Sequence, residues 1–535
     1  MITTLQRWLL KTMLARLQTP RDVTRLACRR YAGRLALRQG ERTLSYAELE
    51  DRVLRIATLW RRWGINHGQP VFCLLPDGIE QMLIRLAAAE AGAMLTLLRP
   101  EDAASRLPAA LETIKPQLVV HPPEMSIAPF ESGRLWPFDD AAHKAIDSVT
   151  PAADEKRLNP DELAVVGFTS GTTGNPKALG ISHRAHLTSL RQVVANIDFS
   201  QRRLFKQEQD RFLVGVPLTG AGSGVVLPTL LSGSCLIIPE RYDAETLLGT
   251  LEEHQATRLF TTPSLLIDLL DHPDLRPLPH LRLLIYGTEL MPAAKLEEAL
   301  GRFGAILQQG YGSAEVLPPV SLLSPAEHLA PGSEGDRQPA AREILMSAGR
   351  IVPGVQARIV DELDQDLPAG EIGEVLIKSP TVFSGYWRRP DLTGTALRDG
   401  YLVTGDMGRI SNDGYLTILG RKTDLVSRQG RVIYPRLVEE TAHDHPAVKE
   451  ASLVQVQNQA ILAVSLRRAW RWAAPPKSGW PAELMTHLRQ HLPEESLPDR
   501  IVVFEELPRS SLSKVLRRDV RTALEATPQQ QEQLT

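Results

Sequence analysis

The stretch Thr169-Ser-Gly-Thr-Thr-Gly-Asn-Pro-Lys177 constrains this chain more than any other, because it joins hydroxyls, glycines and a lysine in one loop. A short apolar run, Leu163 to Phe168, precedes it and is typical of a buried strand. A loop that leaves a strand can turn its backbone N–H groups toward an anion. Gly171 and Gly174 permit close approach or a positive φ, and Lys177 adds a positive charge. The stretch therefore predicts a polyphosphate-binding loop.

The spacing of this loop separates it from a Walker loop, which has four residues between its glycines and a Ser or Thr after its lysine. The segment from Ala178 to Ala195, which follows, predicts a short strand or turn and then a helix. The alternative to a phosphate loop is a polar surface turn with an isolated lysine, although such compositions after a buried strand are uncommon.

Composition places the chain among soluble multidomain proteins. At 535 residues it exceeds one simple core and predicts two to four domains, while 43% hydrophobic residues is enough to bury them. A net charge of −2 gives no signal for nucleic acid as a partner. Cys28, Cys73 and Cys235 are widely spaced, which predicts neither a metal site nor a disulfide framework and favours a cytoplasmic location.

The amino-terminal segment, Met1 to Leu17, is apolar but interrupted by Arg7, Lys11 and Arg16, so a secretory signal is not predicted. Leu5, Leu9 and Met13 fall on one face at i, i+4 spacing with Trp8 beside them, which predicts an amphipathic helix. We expect this helix to dock on the protein's own surface, with contact to a membrane surface as the alternative. Elsewhere no uncharged apolar stretch is long enough to span a membrane.

Strand and helix patterns alternate along most of the chain and predict parallel sheets. Residues 122–160 show little periodicity and predict a connecting segment, and 324–341 predict a polar surface excursion. From about Gly349 the pattern changes to short strands, with a hairpin signal at Asn412-Asp-Gly414. The fold prediction is α/β, with a large N-terminal domain of mixed parallel sheets and helices that includes a small β subdomain (1–420), a smaller C-terminal α+β domain (421–525) and a disordered tail (526–535).

Five side chains outside the loop have the chemistry to complete a nucleotide site. Tyr311 offers an aromatic face for a base, and Glu315 a carboxylate for Mg²⁺. Asp406 ends a predicted strand and could accept two ribose hydroxyls, while Arg421 could hold a ribose or phosphate oxygen. Lys514 lies on a turn before a helix. Taken singly, Asp406 could cap a turn, Glu315 could be a solvated loop acid, and Lys514 could lie on a solvated helix face.

The order and spacing of these stretches resemble the adenylate-forming superfamily, which comprises acyl-coenzyme A synthetases, firefly-type luciferases and the adenylation domains of nonribosomal peptide synthetases. The matching stretches are TSGTTGNPK (169–177), QGYGSAE (309–315), YLVTGD (401–406), GRKTDLVSRQGRVIYPRLVEE (420–440) and LPRSSLSKVLRR (507–518). The resemblance implies a two-step reaction that uses ATP and Mg²⁺. A carboxylate attacks the α-phosphate to give an acyl-adenylate and pyrophosphate, and the thiol of coenzyme A or of a carrier-protein phosphopantetheine then displaces AMP. It also implies that the C-terminal domain is mobile and rotates between the steps.

The resemblance assigns roles by motif. The β- and γ-phosphates of ATP fall to Thr169, Ser170, Gly171, Thr172, Thr173, Gly174 and Lys177, and the adenine side to Gly287, Thr288, Glu289, Tyr311 and Gly312. Glu315 is implied to bind Mg²⁺, and Asp406 the ribose with help from Arg421. Lys514 is implied to reach the acyl carboxylate and the α-phosphate in the first step, and Gly430 to line the thiol tunnel in the second.

Several positions depart from the family pattern. Ser513 replaces the glycine usual before the lysine, Ala314 a threonine before the glutamate, and Thr423 a charged hinge residue. Leu218 to Gly222 replace a Phe-His pair and predict a small, flexible wall, and Tyr286 to Glu289 replace Gly-Gly-Ala-Pro. Each charged group that the chemistry needs is nevertheless present.

The wall also lacks the aspartate that peptide synthetase domains pair with an α-amino group, which favours a fatty, aryl or polyketide-like acid. Three alternatives to a coenzyme A ligase remain open at this point: transfer to an acyl carrier protein, transfer to a non-thiol acceptor, and a non-catalytic acyl-adenylate-binding relative.

Overall fold

The computed structural model describes residues 12–128, 130, 133–168, 177–197, 208–332, 338–428, 430–468, 470, 480–509 and 514–526. Most of the predicted phosphate loop (169–176), Ser513 and the predicted tail from 527 onward lie outside the described residues.

The strands of the described chain are β1 (Leu35–Gln39), β2 (Arg42–Ser45), β3 (Pro70–Cys73), β4 (Met94–Leu97), β5 (Leu118–His121), β6 (Arg134–Pro137), β7 (Leu163–Phe168), β8 (Ala178–Ser182), β9 (Arg211–Gly215), β10 (Cys235–Ile237), β11 (Arg258–Thr261), β12 (Leu283–Gly287), β13 (Leu307–Tyr311), β14 (Ser321–Leu323), β15 (Arg350–Ile351), β16 (Gln356–Val360), β17 (Gly373–Lys378), β18 (Gly385–Tyr386), β19 (Leu397–Arg398), β20 (Tyr401–Ile410), β21 (Leu416–Arg421), β22 (Val426–Arg428), β23 (Arg431–Ile433), β24 (Val448–Val456), β25 (Gln459–Leu466) and β26 (Arg500–Phe504).

The α-helices are α1 (Pro20–Tyr31), α2 (Tyr46–Arg62), α3 (Ile79–Ala91), α4 (Pro100–Ile114), α5 (Asp140–Asp147), α6 (His183–Asn196), α7 (Ser223–Leu231), α8 (Ala244–Glu253), α9 (Pro263–Leu270), α10 (Ala293–Phe303), α11 (Arg342–Leu345), α12 (Pro390–Ala396), α13 (Pro435–His443), α14 (Trp480–His491) and α15 (Arg517–Ala526). Residues 12–16 are also helical.

Two large sheets form the body of the protein. The first has the order β15-β14-β13-β12-β11-β9-β10-β1-β2 and is parallel from β13 to β1. The second has the order β18-β8-β7-β4-β3-β5-β6 and is parallel from β7 to β6. Antiparallel strands lie at edges of both sheets. In the second sheet β8 pairs with β7, and β18 pairs with β8. The predicted α/β class with parallel sheets is confirmed.

Residues 122–160 are more ordered than a connecting segment, so that prediction was wrong. They contain β6, which extends the parallel sheet, and α5. Trp136 of β6 packs edge-on against Trp60 and Trp63, with ring centroids 6.5 and 5.1 Å away. The sequence indicates β6 only weakly because a strand of four residues has few apolar positions. The many Pro, Ala and Asp residues around it also obscure the alternating pattern of a strand.

The predicted surface excursion at 324–341 also contains core residues. His328 is fully buried, and its Nε2 lies 2.9 Å from the hydroxyl of Tyr286. A histidine paired with a tyrosine can enter a core because both polar groups are satisfied, and a polar composition alone does not reveal this.

The small β subdomain has the order β16-β17-β20-β19, with β21 beside β20. β20 is one strand, Tyr401–Ile410, with an irregularity between Met407 and Gly408, whereas the sequence predicted a strand that ends at Asp406. Asp406 therefore lies within the strand. Gly405, with a φ of 72°, lies in the same strand immediately before Asp406.

The C-terminal unit is built on the mixed sheet β24-β25-β26, with α13 and α14 over one cluster and α15 over another. Val438, Leu462 and Leu484 belong to the first cluster, and Val454 and Val520 to the second. Both clusters consist of residues from Val426 onward, so this unit has its own core.

The amino-terminal helix contacts the protein itself over its described part. Leu14 and Leu17 are buried in a cluster with Leu187 and Leu190 of α6, and Arg191 donates to the carbonyl of Leu17 at 2.8 Å. Leu5, Trp8 and Leu9 lie outside the described residues. Within the described residues, none of the helices is both long and apolar enough to cross a membrane.

Candidate active site

Three predicted residues meet where β13, β20 and β21 come together. The hydroxyl of Tyr311, which ends β13, donates to Asp406 Oδ2 at 2.5 Å. Asp406 and Arg421 are register partners across β20 and β21, and Arg421 Nε lies 3.0 Å from Asp406 Oδ1. Arg421 also donates to the carbonyl of Thr404 at 2.8 Å. Both oxygens of Asp406 therefore face donors, and contacts to a carboxylate of this kind are charge-assisted.

Burial has the largest effect on the pKa values of Asp406 and Tyr311. It raises the pKa of Asp406, against the opposing effects of the Arg421 charge and the Tyr311 hydroxyl. Burial also raises the pKa of Tyr311 well above its ordinary value, so Tyr311 stays a hydrogen-bond donor at neutral pH. The arrangement holds one carboxylate in a place from which water is largely excluded.

Tyr386, a residue that sequence reasoning missed, contacts two of the predicted site residues, Glu315 and Lys177. Its hydroxyl donates to Glu315 Oε1 at 3.2 Å, and Lys177 Nζ lies 5.3 Å from its ring centroid. Tyr386 belongs to β18, which pairs with β8 directly after the predicted phosphate loop. The sequence feature that could have indicated Tyr386 is the group of aromatic residues around Gly385. From sequence alone, such a group predicts a hydrophobic core and not a functional site.

Lys514 reaches the body of the protein from the C-terminal unit. Its Nζ donates to the carbonyl of Thr288 at 3.1 Å. Burial lowers the pKa of Lys514, while the charge of Glu289 opposes that change. Thr288 has a φ of 78°, which a β-branched residue rarely adopts, and a Cβ on Gly287 would meet the carbonyl of Gly310 at 2.5 Å. The chain after β12 is therefore held in an unusual bend.

Glu289 lies inside this bend, and its environment is unusual for a carboxylate. Ser264, in the first turn of α9, donates to its Oε2 at 2.6 Å. Its Oε1 is buried without a hydrogen-bond partner in the described structure. Burial raises the pKa of Glu289 to about 7, so this carboxyl group titrates near neutrality.

The remaining predicted residues lie elsewhere or at the margin. Gly430 is exposed, with a φ of 78°, in the turn between β22 and β23. Ion pairs at the ends of that hairpin join it to the C-terminal unit, including Arg428 to Asp499 at 2.9 Å. Gly312 follows Tyr311, and a Cβ there would meet Pro318 Cα at 2.8 Å. Thr169, Ser170, Gly171, Thr172, Thr173 and Gly174 lie outside the described residues.

The wall at Leu218 to Gly222 is braced, contrary to the expected flexibility. The N–H of Leu218 donates to Asp77 Oδ2 at 2.8 Å, and its carbonyl accepts from Arg85 at 2.5 Å. Tyr242 also donates to Asp77 Oδ2 at 2.8 Å. Small side chains made the wall appear flexible in the sequence, but Asp77 and Arg85, which are distant in the chain, hold the backbone of Leu218.

Polar contacts dock the C-terminal unit on α9 and α10. Lys449 and Arg509 both pair with Asp268 of α9, at 2.6 and 3.1 Å. The buried amine of Lys295 on α10 donates to the carbonyl of Val448 at 2.9 Å. This docking delivers Lys514 to Thr288.

A family model described as "AMP-binding enzyme" matches residues 24–387. The chain belongs to the AMP-binding enzyme family. The family match covers both large sheets, together with Tyr311, Glu315 and Tyr386 described above.

Curated relatives extend the similarity over nearly the whole chain. A feruloyl-CoA synthase from Amycolatopsis is 30% identical, covering 91% of this chain and 95% of that protein. The medium/long-chain-fatty-acid–CoA ligase FadD8 of Mycobacterium tuberculosis is 28% identical, covering 92% and 88%. Among solved structures, the amide bond synthetase McbA of Marinactinospora thermotolerans is similar with a TM-score of 0.77 at 27% identity, covering 94% and 99%.

These relatives, together with the matched family, define the type of chemistry. The chain is an adenylate-forming enzyme, an AMP-forming acid–thiol ligase of the acyl-coenzyme A synthetase type, with ATP and coenzyme A as its co-substrates.

Proposed function

We propose that this ligase activates an aryl or fatty carboxylic acid, and that the C-terminal unit is docked here for the first of its two steps. The observation that carries the proposal is the contact of Lys514 Nζ with the carbonyl of Thr288. This contact joins Lys514, which the family resemblance implies to act on the α-phosphate, to Thr288, which the same resemblance assigns to the adenine side.

Lys514 would stabilise the first transition state by charge. As the acid oxygen attacks the α-phosphate and pyrophosphate leaves, negative charge gathers on the phosphate oxygens. An ammonium group held near them lowers the barrier, and loss of one such donor costs about 3–4 kcal/mol. Burial strengthens the effect because the surrounding medium has a lower dielectric constant.

Asp406, Tyr311 and Arg421 would hold the ribose. The carboxylate of Asp406 accepts from the sugar hydroxyls, while Tyr311 and Arg421 keep it oriented from the other side. Thr288 and Gly312 would line the adenine side, in line with their motif positions.

Glu315 is the side chain best suited to hold Mg²⁺. The described residues contain no group of three side chains that could bind a metal ion by themselves. Mg²⁺ ordinarily uses one or two carboxylates together with substrate phosphates and water, and a single carboxylate beside Lys177 and Tyr386 fits that pattern. Bound there, Mg²⁺ would neutralise phosphate charge.

The second step would require the C-terminal domain, proposed here as residues 421–525, to turn and withdraw Lys514. Its docking contacts are ion pairs and hydrogen bonds around Asp268 and Lys295, and polar interfaces of this kind permit domain motion. The exposed hairpin turn at Gly430 would then face the thiol.

Two features support an aryl or fatty acid. The braced wall at Leu218 to Gly222 presents small apolar groups and no carboxylate that could pair with an amino group. The relatives at 30% and 28% identity are named for feruloyl and fatty acyl substrates.

A panel of aryl and fatty acids should be screened by exchange of labelled pyrophosphate into ATP. We expect acid-dependent exchange that falls on the order of 10²- to 10³-fold in Lys514→Ala and is unchanged in Lys144→Ala, an exposed lysine on α5. The absence of exchange with every acid, or full exchange in Lys514→Ala, would refute the proposal. Offering holo carrier protein or an amine beside coenzyme A tests whether the adenylate has a second acceptor, and the similarity to an amide bond synthetase is the reason to include the amine.

A further inference from the structure

We propose that Glu289 is a positioning residue for Lys514, whose carboxylate keeps the lysine amine protonated and directed toward the nucleotide side of the site. This inference rests on the proposed role of Lys514 in the first step and adds a residue to it. Proline is usual at this position in the family pattern, and a proline could not supply the charge.

The first support is placement. Lys514 Nζ donates to the carbonyl of Thr288, and Glu289 is the next residue in the chain. The hydroxyl of Ser264 fixes one carboxylate oxygen of Glu289 at 2.6 Å, which holds the side chain from the side of α9. The other oxygen, Oε1, is buried without a hydrogen-bond partner among the described residues, so its charge is available to a neighbouring cation.

The second support is the balance of charge around the pair. Buried lysines tend to lose their proton unless an anion is close, and Glu289 is the group that opposes this for Lys514. The other charges that face the pair are Arg421 near Lys514, and Glu450 and Arg509 near Glu289. Arg421 is paired with Asp406 at 3.0 Å, and Arg509 with Glu450 at 2.7 Å.

Lys514 and Glu289 carry opposite charges at the point where the two units meet. Their attraction would add to the docking of the C-terminal unit in the orientation for the first step. It would be lost when the unit turns, so Glu289 would serve only the first step.

The proposal predicts a pH profile with a definite sign. Burial raises the pKa of Glu289 to about 7, so the carboxyl group becomes neutral as the pH falls through that value. Exchange of pyrophosphate by the wild type should therefore fall on the acid side near pH 7. Glu289→Gln keeps the shape and the bond to Ser264 but has no charge at any pH. It should lack that acid limb and lose activity on the alkaline side at a lower pH than the wild type.

Ser264→Ala is the matched variant. The Ser264 hydroxyl favours the ionised form of Glu289, so its removal should move the acid limb to higher pH while the plateau remains. This variant tests the same carboxylate without replacing it, and it decides the question if Glu289→Gln does not fold.

The experiment compares full-length wild type, Glu289→Gln and Ser264→Ala between about pH 6 and 10. Near pH 8.5 we expect Glu289→Gln to exchange pyrophosphate more slowly than the wild type, because a larger fraction of its Lys514 amine has lost its proton. Thioester formation from a supplied acyl-adenylate should be unchanged. Equal losses in both half-reactions, or unaltered acid and alkaline limbs, would overturn the proposal.

A second readout does not depend on activity. Competitive labelling of Lys514 with an amine-reactive acylating reagent, followed by mass spectrometry, measures how readily the amine loses its proton. In Glu289→Gln the labelling of Lys514 should begin at lower pH, with labelling of Lys144 unchanged. An identical profile in wild type and variant would refute the inference, even if no active acid had been found. Absence of exchange in the wild type would instead count against the proposed function.

Discussion

Arg509 and Asp268 form an ion pair at 3.1 Å that joins the segment preceding Lys514 to α9 in the body of the protein. Arg509 also pairs with Glu450 at 2.7 Å, and its backbone forms a bridge with Val515. The same arginine therefore links the backbone beside Lys514 to α9 of the body.

Asp268→Asn should slow the first half-reaction more than the second, because the asparagine no longer neutralises Arg509 and Lys449. A partly exposed pair of this kind contributes about 1 kcal/mol, a factor of about five in rate. Pyrophosphate exchange and thioester formation from supplied adenylate should be measured in Asp268→Asn, Arg509→Ala and the double variant. A double variant no worse than either single one is expected, whereas equal losses in both half-reactions would contradict a docking role.

Tyr386→Phe should raise the Mg²⁺ concentration needed for half-maximal exchange. The change removes the hydroxyl that orients Glu315 and keeps the ring beside Lys177. Loss of one such hydrogen bond costs roughly 0.5–1.5 kcal/mol, or a factor of about two to ten. Tyr386→Leu removes the ring as well and should also raise the KM for ATP. An unchanged Mg²⁺ titration in Tyr386→Phe would argue against Glu315 as the metal ligand.

Asp406→Asn should raise the KM for ATP by at least about tenfold, because a charge-assisted acceptor for the ribose is lost and Arg421 keeps an unpaired charge. Tyr311→Phe removes only the donor to Asp406 and should have a smaller effect on the same constant. Steady-state kinetics with ATP and with 2′-deoxy-ATP would test the role directly. If Asp406→Asn loses much more activity with ATP than with 2′-deoxy-ATP, so that the preference for ATP disappears, the ribose contact is supported. An equal loss with both nucleotides would contradict it.

Lys295 should make docking of the C-terminal unit depend on pH. Burial at the interface lowers the pKa of Lys295 to about 7, so a released, solvated Lys295 keeps its proton to a higher pH than the docked one. The stability of the docked form should therefore rise as the pH increases from about 7 toward the ordinary pKa of lysine. Below about pH 7 Lys295 is protonated in both forms, so the docked form carries the whole free-energy cost of burying the charged amine. Thermal unfolding of Lys295→Met should lack this rise, and Lys144→Met should retain it. A rise of equal size in Lys295→Met would contradict the assignment.

Much of this site was accessible from the chain alone, because charged groups in an ordered set of motifs need no tertiary information. Tyr311, Asp406 and Arg421 were predicted together and meet within hydrogen-bond distance. Lys514 was predicted to act at the nucleotide and contacts Thr288. Their catalytic roles stay predictions until the kinetics are measured.

What escaped prediction depends on contacts between residues far apart in sequence. Tyr386 became part of the site only because β18 pairs with β8. Glu289 was assigned to the adenine side by its motif, but its burial and its bond to Ser264 arise from the packing of α9. The backbone of Leu218 is held by hydrogen bonds to Asp77 and Arg85. These two residues lie between β3 and β4 of the second large sheet. Periodicity and composition carry no information about such partners.

The pairing of β18 with β8 also has a consequence for biosynthesis. β8 follows the phosphate loop directly, yet its outer partner, Gly385–Tyr386, is made roughly 200 residues later, which takes roughly 10–40 s at ordinary translation rates. During that interval the nascent chain carries an unpaired strand edge, a template for wrong pairing with other chains. Synthesis of Gly385–Tyr386 supplies the partner that covers this edge, and the same pairing brings Tyr386 next to Glu315.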